Sequence, residues 1–359
     1  MIFTKKGAVE SVLAAFVVPG LDRSLRDLKA TWQVQIDHGS CQITLKIGFP
    51  CRGLEAQLKE ALIQAVKQIN GIHEVVVEVV IKISAHNVAS QKPLLRGIKN
   101  IIAVASGKGG VGKSTTSVNM ALALAVEGAS VGILDADIYG PSIPMMLGID
   151  DSIRPEIVEE KFLKPIVRHG IHSLSMGNLI TENTPVVWRA PKVTGALLQL
   201  FQQSYWDEID YLIVDLPPGT GDIQLTLAQS IPVTAAVIVT TPQDIALLDA
   251  RKAIEMFAKV NIPVLGIVEN MSVYTCSACG HSEHIFGAEG GKAIAAQYHL
   301  PLLGALPLAL SIREQADGGR PSVAAEPESS ISHSYRDIAR RVAASIAVME
   351  RNRAIPVVS

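Results

Sequence analysis

The chain has 359 residues, 48% of them hydrophobic and 18% charged, with a formal net charge of -2. That is enough apolar material for one large core and a smaller one, and it excludes a chain that is mostly disordered. Balanced charge without a long Lys/Arg block gives no footprint for nucleic acid, and no apolar run approaches the ~20 residues that span a bilayer, so a soluble, cytoplasmic protein without a membrane partner is expected.

At the N-terminus, Lys5 and Lys6 precede the apolar run Val12 to Val18. Glu10 interrupts this faint likeness to a secretion signal and no small-residue cleavage site follows, so the stretch reads as a short helix. Trp32, Val34 and Ile36 alternate with polar residues, as do Ile43, Leu45 and Ile47, and again Val75 to Ile83, which predicts three strands. Between the second and third, Leu54, Leu58, Leu62, Val66 and Ile69 repeat at helical spacing, and Asn70-Gly71 supplies a stop. Residues 1–85 are therefore expected to form a small α+β domain. Cys51 falls at the expected helix start, where a positive helix end favours a thiolate, although a half-buried structural cysteine is the plainer reading, as it is for Cys41.

Ser84 to Lys92 is polar and aperiodic, which places a linker over 86–98. From 99 to 349 apolar strands alternate with amphipathic helices, the pattern of a doubly wound, mostly parallel α/β sheet. The expected strands are Ile101–Ala105, Val131–Asp135, Ile171–Ser175, Tyr211–Asp215, Ala235–Thr240, Val264–Glu269 and Leu302–Leu306. Residues 350–359 read as a frayed tail.

The first of these strands runs into Gly107-Lys108-Gly109-Gly110-Val111-Gly112-Lys113-Ser114-Thr115. Gly107 to Ser114 fits G-x-x-x-x-G-K-[ST], a phosphate loop in which backbone N–H groups and the following helix N-terminus face an anion. Lys113 would reach the β- and γ-phosphates and Ser114 would hold Mg²⁺. Val131 to Asp137 ends in two acids; Asp135 suits the outer shell of Mg²⁺, and Asp137 can align an attacking water, which is most of what in-line phosphoryl transfer requires. Capping or turn aspartates are the structural alternative. Asp210 to Asp215 is a second apolar strand ending in an acid, with Asp215 a further Mg²⁺ candidate. The turn Pro217-Pro218-Gly219-Thr220-Gly221-Asp222 suits a switch loop sensing the γ-phosphate through an N–H near Gly219. No N-K-x-D aspartate follows Asn270, so ATP is favoured over a guanine nucleotide, with Asn270 a candidate adenine contact.

Cys276 and Cys279 form a C-x-x-C. Alone, the pair could be a redox dithiol, half a zinc site or half an iron-sulfur site; a one-chain zinc site with His281 and His284 would be closely spaced.

Lys108 adds a second cation to the loop, and Lys108 to Thr115 resembles the deviant Walker A signature of the MinD, ParA, nitrogenase iron protein and Mrp ATPases. The resemblance implies that the first lysine reaches the nucleotide of a facing subunit in a homodimer. Leu216 to Thr226, Gly266 to Ser272 and the C-x-x-C loop resemble the Mrp/ApbC iron-sulfur cluster carriers over Ile101 to about Pro307, and the first domain resembles, loosely, the iron-sulfur assembly domain that precedes such ATPases. Trp188-Arg189-Ala190-Pro191 departs from the family pattern, which has Gly at its third position. The resemblance implies a slow, switch-like ATPase carrying a [4Fe-4S] cluster on Cys276 and Cys279 of two subunits, delivered to apo-proteins and assembly scaffolds. A MinD/ParA-like positioning ATPase and a zinc-bridged dimeric scaffold are the alternatives.

Overall fold

The computed structural model describes residues 5–86, 97–138, 140–178, 190–276 and 278–349, without the side chains of 190–193. Most of the expected linker, Trp188 and Arg189 of the departing turn, and the tail lie outside the described residues. Contacts divide the chain into two compact units, residues 1–84 with 126–128 and 340–350, and residues 85–125 with 129–339.

The first unit contains α1 (Lys5–Ala15), β1 (Thr31–Asp37), β2 (Ser40–Ile47), α2 (Glu55–Lys67) and β3 (Glu74–Ile81). The sheet order is β1-β2-β3, with β1 antiparallel and β3 parallel to β2. Alternation decides which face is covered: Cys41, Ile43, Leu45 and Ile47 are buried, as are Val75 and Val77, and Leu58, Leu62 and Val66 complete the core from one side of α2. Cys51 follows the plainer of its two readings, a structural cysteine, and is more deeply buried than expected. It precedes a single 3-10 turn, Arg52–Leu54, and is 1% exposed; burial, reinforced by the carboxylates of Glu127 and Glu55, pushes its thiol up to about 12.

Wholly or mostly in the second unit the sequence lays down β4 (Ile98–Ala105), α3 (Lys113–Val126), β5 (Val131–Asp135), β6 (Ile166–Arg168), β7 (Ile171–Ser175), α4 (Ala190–Gln203), β8 (Ile209–Asp215), α5 (Asp222–Ser230), β9 (Ala235–Thr240), α6 (Asp244–Lys259), β10 (Val264–Glu269), α7 (Gly290–Gln297), β11 (Leu302–Ala305) and α8 (Ser330–Ala347), the last of which continues from residue 340 as part of the first unit. They build one eight-stranded sheet of order β6-β7-β5-β8-β4-β9-β10-β11, parallel except for the edge pair β6–β7. All seven expected strands are present. Strands β5 and β9 are buried throughout, as expected of parallel strands covered on both faces. The edge strand β6 and a hairpin of Glu156–Val158 with Phe162–Lys164 were not anticipated, because three residues are too few to display alternation.

β4 lies between β8 and β9. The chain leaves β4 for β5 on one side and later crosses to β9 on the other, so the carboxyl end of β4 is where the connections diverge, the place at which open α/β sheets bind ligands. Register then levels the acids with it: Asp215 pairs with Asp135 in β5 and with Val104 in β4.

Candidate nucleotide and metal sites

The loop between β4 and α3 turns where the glycines stand. Gly110 and Gly112 have φ of +83° and +81°, values that L side chains avoid. Gly107 is required for a different reason, a close approach: a Cβ there would lie 2.5 Å from the Cβ of Asp249 in α6 and would strike that residue's carbonyl. The loop is thus wedged against α6. Asn270, at the end of β10, braces it from the other side, donating from Nδ2 to the Val111 carbonyl at 2.9 Å while 7% exposed. The residue expected at the adenine therefore also holds the phosphate loop.

Lys113 Nζ lies 2.7 Å from Asp215 Oδ2, and that carboxylate also accepts from Ser114 Oγ at 2.6 Å and, through Oδ1, from Ser117 Oγ at 2.6 Å. Asp135 accepts from the Asp137 N–H (3.1 Å), the Ile143 N–H (3.2 Å) and Ser175 Oγ (3.0 Å). Its carboxyl is nonetheless pushed up to about 7, by burial first and by the neighbouring charge of Asp215 second. Asp137 is half-buried beside it. The structure brings Lys113, Ser114, Asp135, Asp137 and Asp215 together at one end of the sheet.

The switch-loop candidate is pinned to the same place. The Gly219 N–H, expected to sense phosphate, donates to the Ser106 carbonyl at 3.0 Å, and Gln224 Nε2 donates to the carbonyls of Pro217 and Pro218. Lys108 is half-buried, with no ion pair among the described residues.

The cysteines sit on a small ribbon in which Tyr274–Thr275 pairs with Ser282–Glu283. The Cys276 N–H donates to the His281 carbonyl (2.8 Å) and the Gly280 N–H to the Cys276 carbonyl (2.9 Å), closing a tight knuckle. Cys276 is half-buried, Cys279 exposed, and neither is in a disulfide. Backbone N–H groups of Ala278 and Cys279, then the Cys279 side chain, hold the Cys276 thiol below its usual range. His284 Nδ1 lies 2.6 Å from the Ser272 carbonyl and ties the ribbon's end to its root. Among the described residues, no group of three or more His, Cys, Asp or Glu is arranged to hold a metal, so the four-ligand one-chain zinc site is not assembled.

Sequence reasoning missed Ser106, Ser117, Ser175, Gln224 and Asp249. Ser117 carried a signal, lying four residues after Lys113 and hence on the same helix face. Gln224 meets the Pro217 and Pro218 carbonyls within its own turn, whereas Ser106, Ser175 and Asp249 meet Gly219, Asp135 and Gly107 only through the tertiary fold.

The ParA family model described as NUBPL iron-transfer P-loop NTPase matches residues 97–343. The chain is 58% identical over 275 residues to an iron-sulfur cluster carrier protein of Pseudomonas fragi, covering 77% of this chain and 96% of that one. It is 50% identical over 346 residues to the iron-sulfur cluster carrier protein of Escherichia coli K12, covering 95% and 92%. Among solved structures, a nucleotide-binding protein in complex with ADP from Archaeoglobus fulgidus matches with TM-score 0.57 and 37% identity, over 65% of this chain and 90% of that one.

Proposed function

This chain belongs to the ParA family of NUBPL-type iron-transfer P-loop NTPases, and from that membership we propose that it is an ATP-dependent iron-sulfur cluster carrier supplying apo-proteins. The observation that carries the reading is the knuckle: two thiols outside any disulfide, one half-buried with its thiolate favoured by backbone N–H groups and one exposed, in the same unit as a phosphate loop. Two thiolates are half the ligand set of a [4Fe-4S] cargo, and a two-fold pair of chains supplies four.

The residues fit a magnesium nucleotide. A Cβ at Gly110 would meet nothing within 4 Å, so the outer side of the loop is open to phosphate. Residues 107–115 cradle the phosphates through their N–H groups, and Ser114, Asp135 and Asp215 are the oxygen donors that Mg²⁺ takes directly or through water. When bound, that ion neutralises charge building on the β- and γ-oxygens. Lys113 exchanges Asp215 for phosphate, Asp137 orients the attacking water, and Lys108 reaches the nucleotide of the facing copy. With its Nδ2 committed to Val111, Asn270 offers Oδ1 to the adenine amino group. Hydrolysis serves as a slow switch on the geometry of the pair. A positioning ATPase would leave the cysteine knuckle unexplained.

Anaerobic reconstitution with iron, sulfide and zinc quantified, with and without ATP, tests the proposal. It should give about four iron per pair of chains, and Cys276→Ser should abolish loading while leaving the circular dichroism melt unchanged. Stoichiometric iron in that variant would overturn the assignment, and zinc in place of iron would favour the bridged scaffold.

A further inference from the structure

Lys108 stands in the most pliant part of the phosphate loop, between Gly107 on one side and Gly109-Gly110 on the other. Glycines leave a peptide many conformations, so something else must aim this lysine. Lys113 is aimed by its ion pair with Asp215 at 2.7 Å, whereas Lys108 makes no ion pair among the described residues. Its restraint comes from Ser106, whose Oγ donates to the Lys108 carbonyl at 2.9 Å. Ser106 is itself held in three ways. It is wholly buried where β4 ends, its carbonyl accepts the Gly219 N–H at 3.0 Å, and the residue after it, Gly107, is wedged against Asp249. The hydroxyl therefore projects from a base fixed on both sides.

The geometry points to Ser106 as a positioning residue for ATP hydrolysis, one whose hydroxyl holds the Lys108 peptide so that the ammonium is delivered to phosphate. The inference rests on the reading of Lys108 as a cation that reaches a nucleotide, and goes further by naming what aims it. Ser114 and Ser117 give their hydroxyls to Asp215, while Ser106 gives its own to the lysine's backbone. The three serines thus hold two different parts of the site. Because the Ser106 hydroxyl bonds a carbonyl, it takes none of the loop's N–H donors away from phosphate. Those donors and Lys113 hold the nucleotide before reaction. A second cation matters most as charge builds on the transferring group, so losing its aim slows turnover without weakening binding.

The test is single-turnover release of labelled phosphate from ATP by the full chain with Mg²⁺, with ATP affinity measured separately by equilibrium dialysis. Ser106→Ala keeps the carbonyl tied to Gly219 and removes only the hydroxyl. It should slow release about fivefold, with ATP affinity within about twofold of wild type. Lys108→Ala should be slower by about a hundredfold, and adding Ser106→Ala to it should change the rate by less than about twofold, because the hydroxyl acts through that lysine. A merely structural serine would slow both backgrounds alike. Should Ser106→Ala melt below wild type, Ser106→Cys, which fills the same space with a weak donor, reads the same bond. If Ser106→Ala turns over at the wild-type rate, loses affinity instead of rate, or slows the Lys108→Ala protein as much as it slows wild type, the inference is overturned and the carrier reading stands. Wild type that binds ATP without hydrolysing it, or Lys108→Ala that hydrolyses as wild type does, overturns the reading of Lys108 and the inference with it.

Discussion

Lys113 Nζ and Asp215 Oδ2 are 2.7 Å apart, with the lysine side chain 6% exposed and the aspartate not at all. Neither charge would be tolerated there alone, because removing one partner leaves a buried ion without compensation. Asp215→Asn should therefore cost about 3–5 kcal/mol of stability and abolish ATP binding. Adding Lys113→Met should recover much of the stability but none of the binding. Urea midpoints and equilibrium dialysis with labelled ATP separate the two effects; an Asp215→Asn protein as stable as wild type would show that the pair carries no such weight.

The second buried acid predicts a pH dependence of definite sign. The carboxyl of Asp135 is pushed up to about 7 from an ordinary 3.8, so the folded protein holds that proton more tightly than the unfolded chain. Its contribution to stability is complete below about 4 and is lost as pH rises through about 7. Acids with lowered values, such as Asp27 and Asp150, work in the opposite direction, so the difference between proteins is the quantity to follow. In buffer free of nucleotide and metal, the melting temperature of Asp135→Asn relative to wild type should climb between pH 5 and 8. A flat difference would mean that Asp135 is ionised throughout.

The four cysteines should divide two and two. Cys276 is half-buried with its thiolate favoured, and Cys279 is exposed; Cys41 and Cys51 are buried, with thiols pushed upward chiefly by that burial. Iodoacetamide at pH 8, followed by peptide mass mapping, should label Cys276 and Cys279 rapidly and the other pair only after unfolding. Labelling of Cys51 at the rate of Cys279 would contradict its buried placement.

What the sequence revealed is what it encodes locally. The phosphate loop announces itself through glycine spacing, β5 and β8 through apolar runs ending in acids, and the knuckle through two cysteines three positions apart. These motifs carry their chemistry within a dozen residues. Ser175 meets Asp135 only because β7 and β5 are neighbours in the sheet, and Asp249 meets Gly107 only because α6 is folded back on the loop. No local pattern marks such contacts. Cys51 left two readings open, a thiolate favoured by a helix end and a structural thiol, and the structure bears out the second: its side chain lies in the core, where loss of water outweighs any such field. Gly219 lies where a phosphate sensor was expected, but whether its N–H is engaged could not be read from a turn motif; the Ser106 carbonyl accepts it.

His284 separates a ligand from a strut. A one-chain metal site would need it as a donor, whereas its Nδ1 lies 2.6 Å from the Ser272 carbonyl at the root of the ribbon. A strut can be lost without emptying the site. His284→Ala should therefore load the same iron per chain as wild type under anaerobic reconstitution, because Cys276 keeps its backbone hydrogen bonds to His281 and Gly280. It should surrender that iron faster to a chelator such as bathophenanthroline, since the ribbon frays once its anchoring bond, worth about 1 kcal/mol, is gone. Cys276→Ser supplies the contrast, with no loading at all. If His284→Ala proves as empty as Cys276→Ser while its melting temperature is unchanged, the imidazole is a ligand after all, and the metal is bound by a single chain.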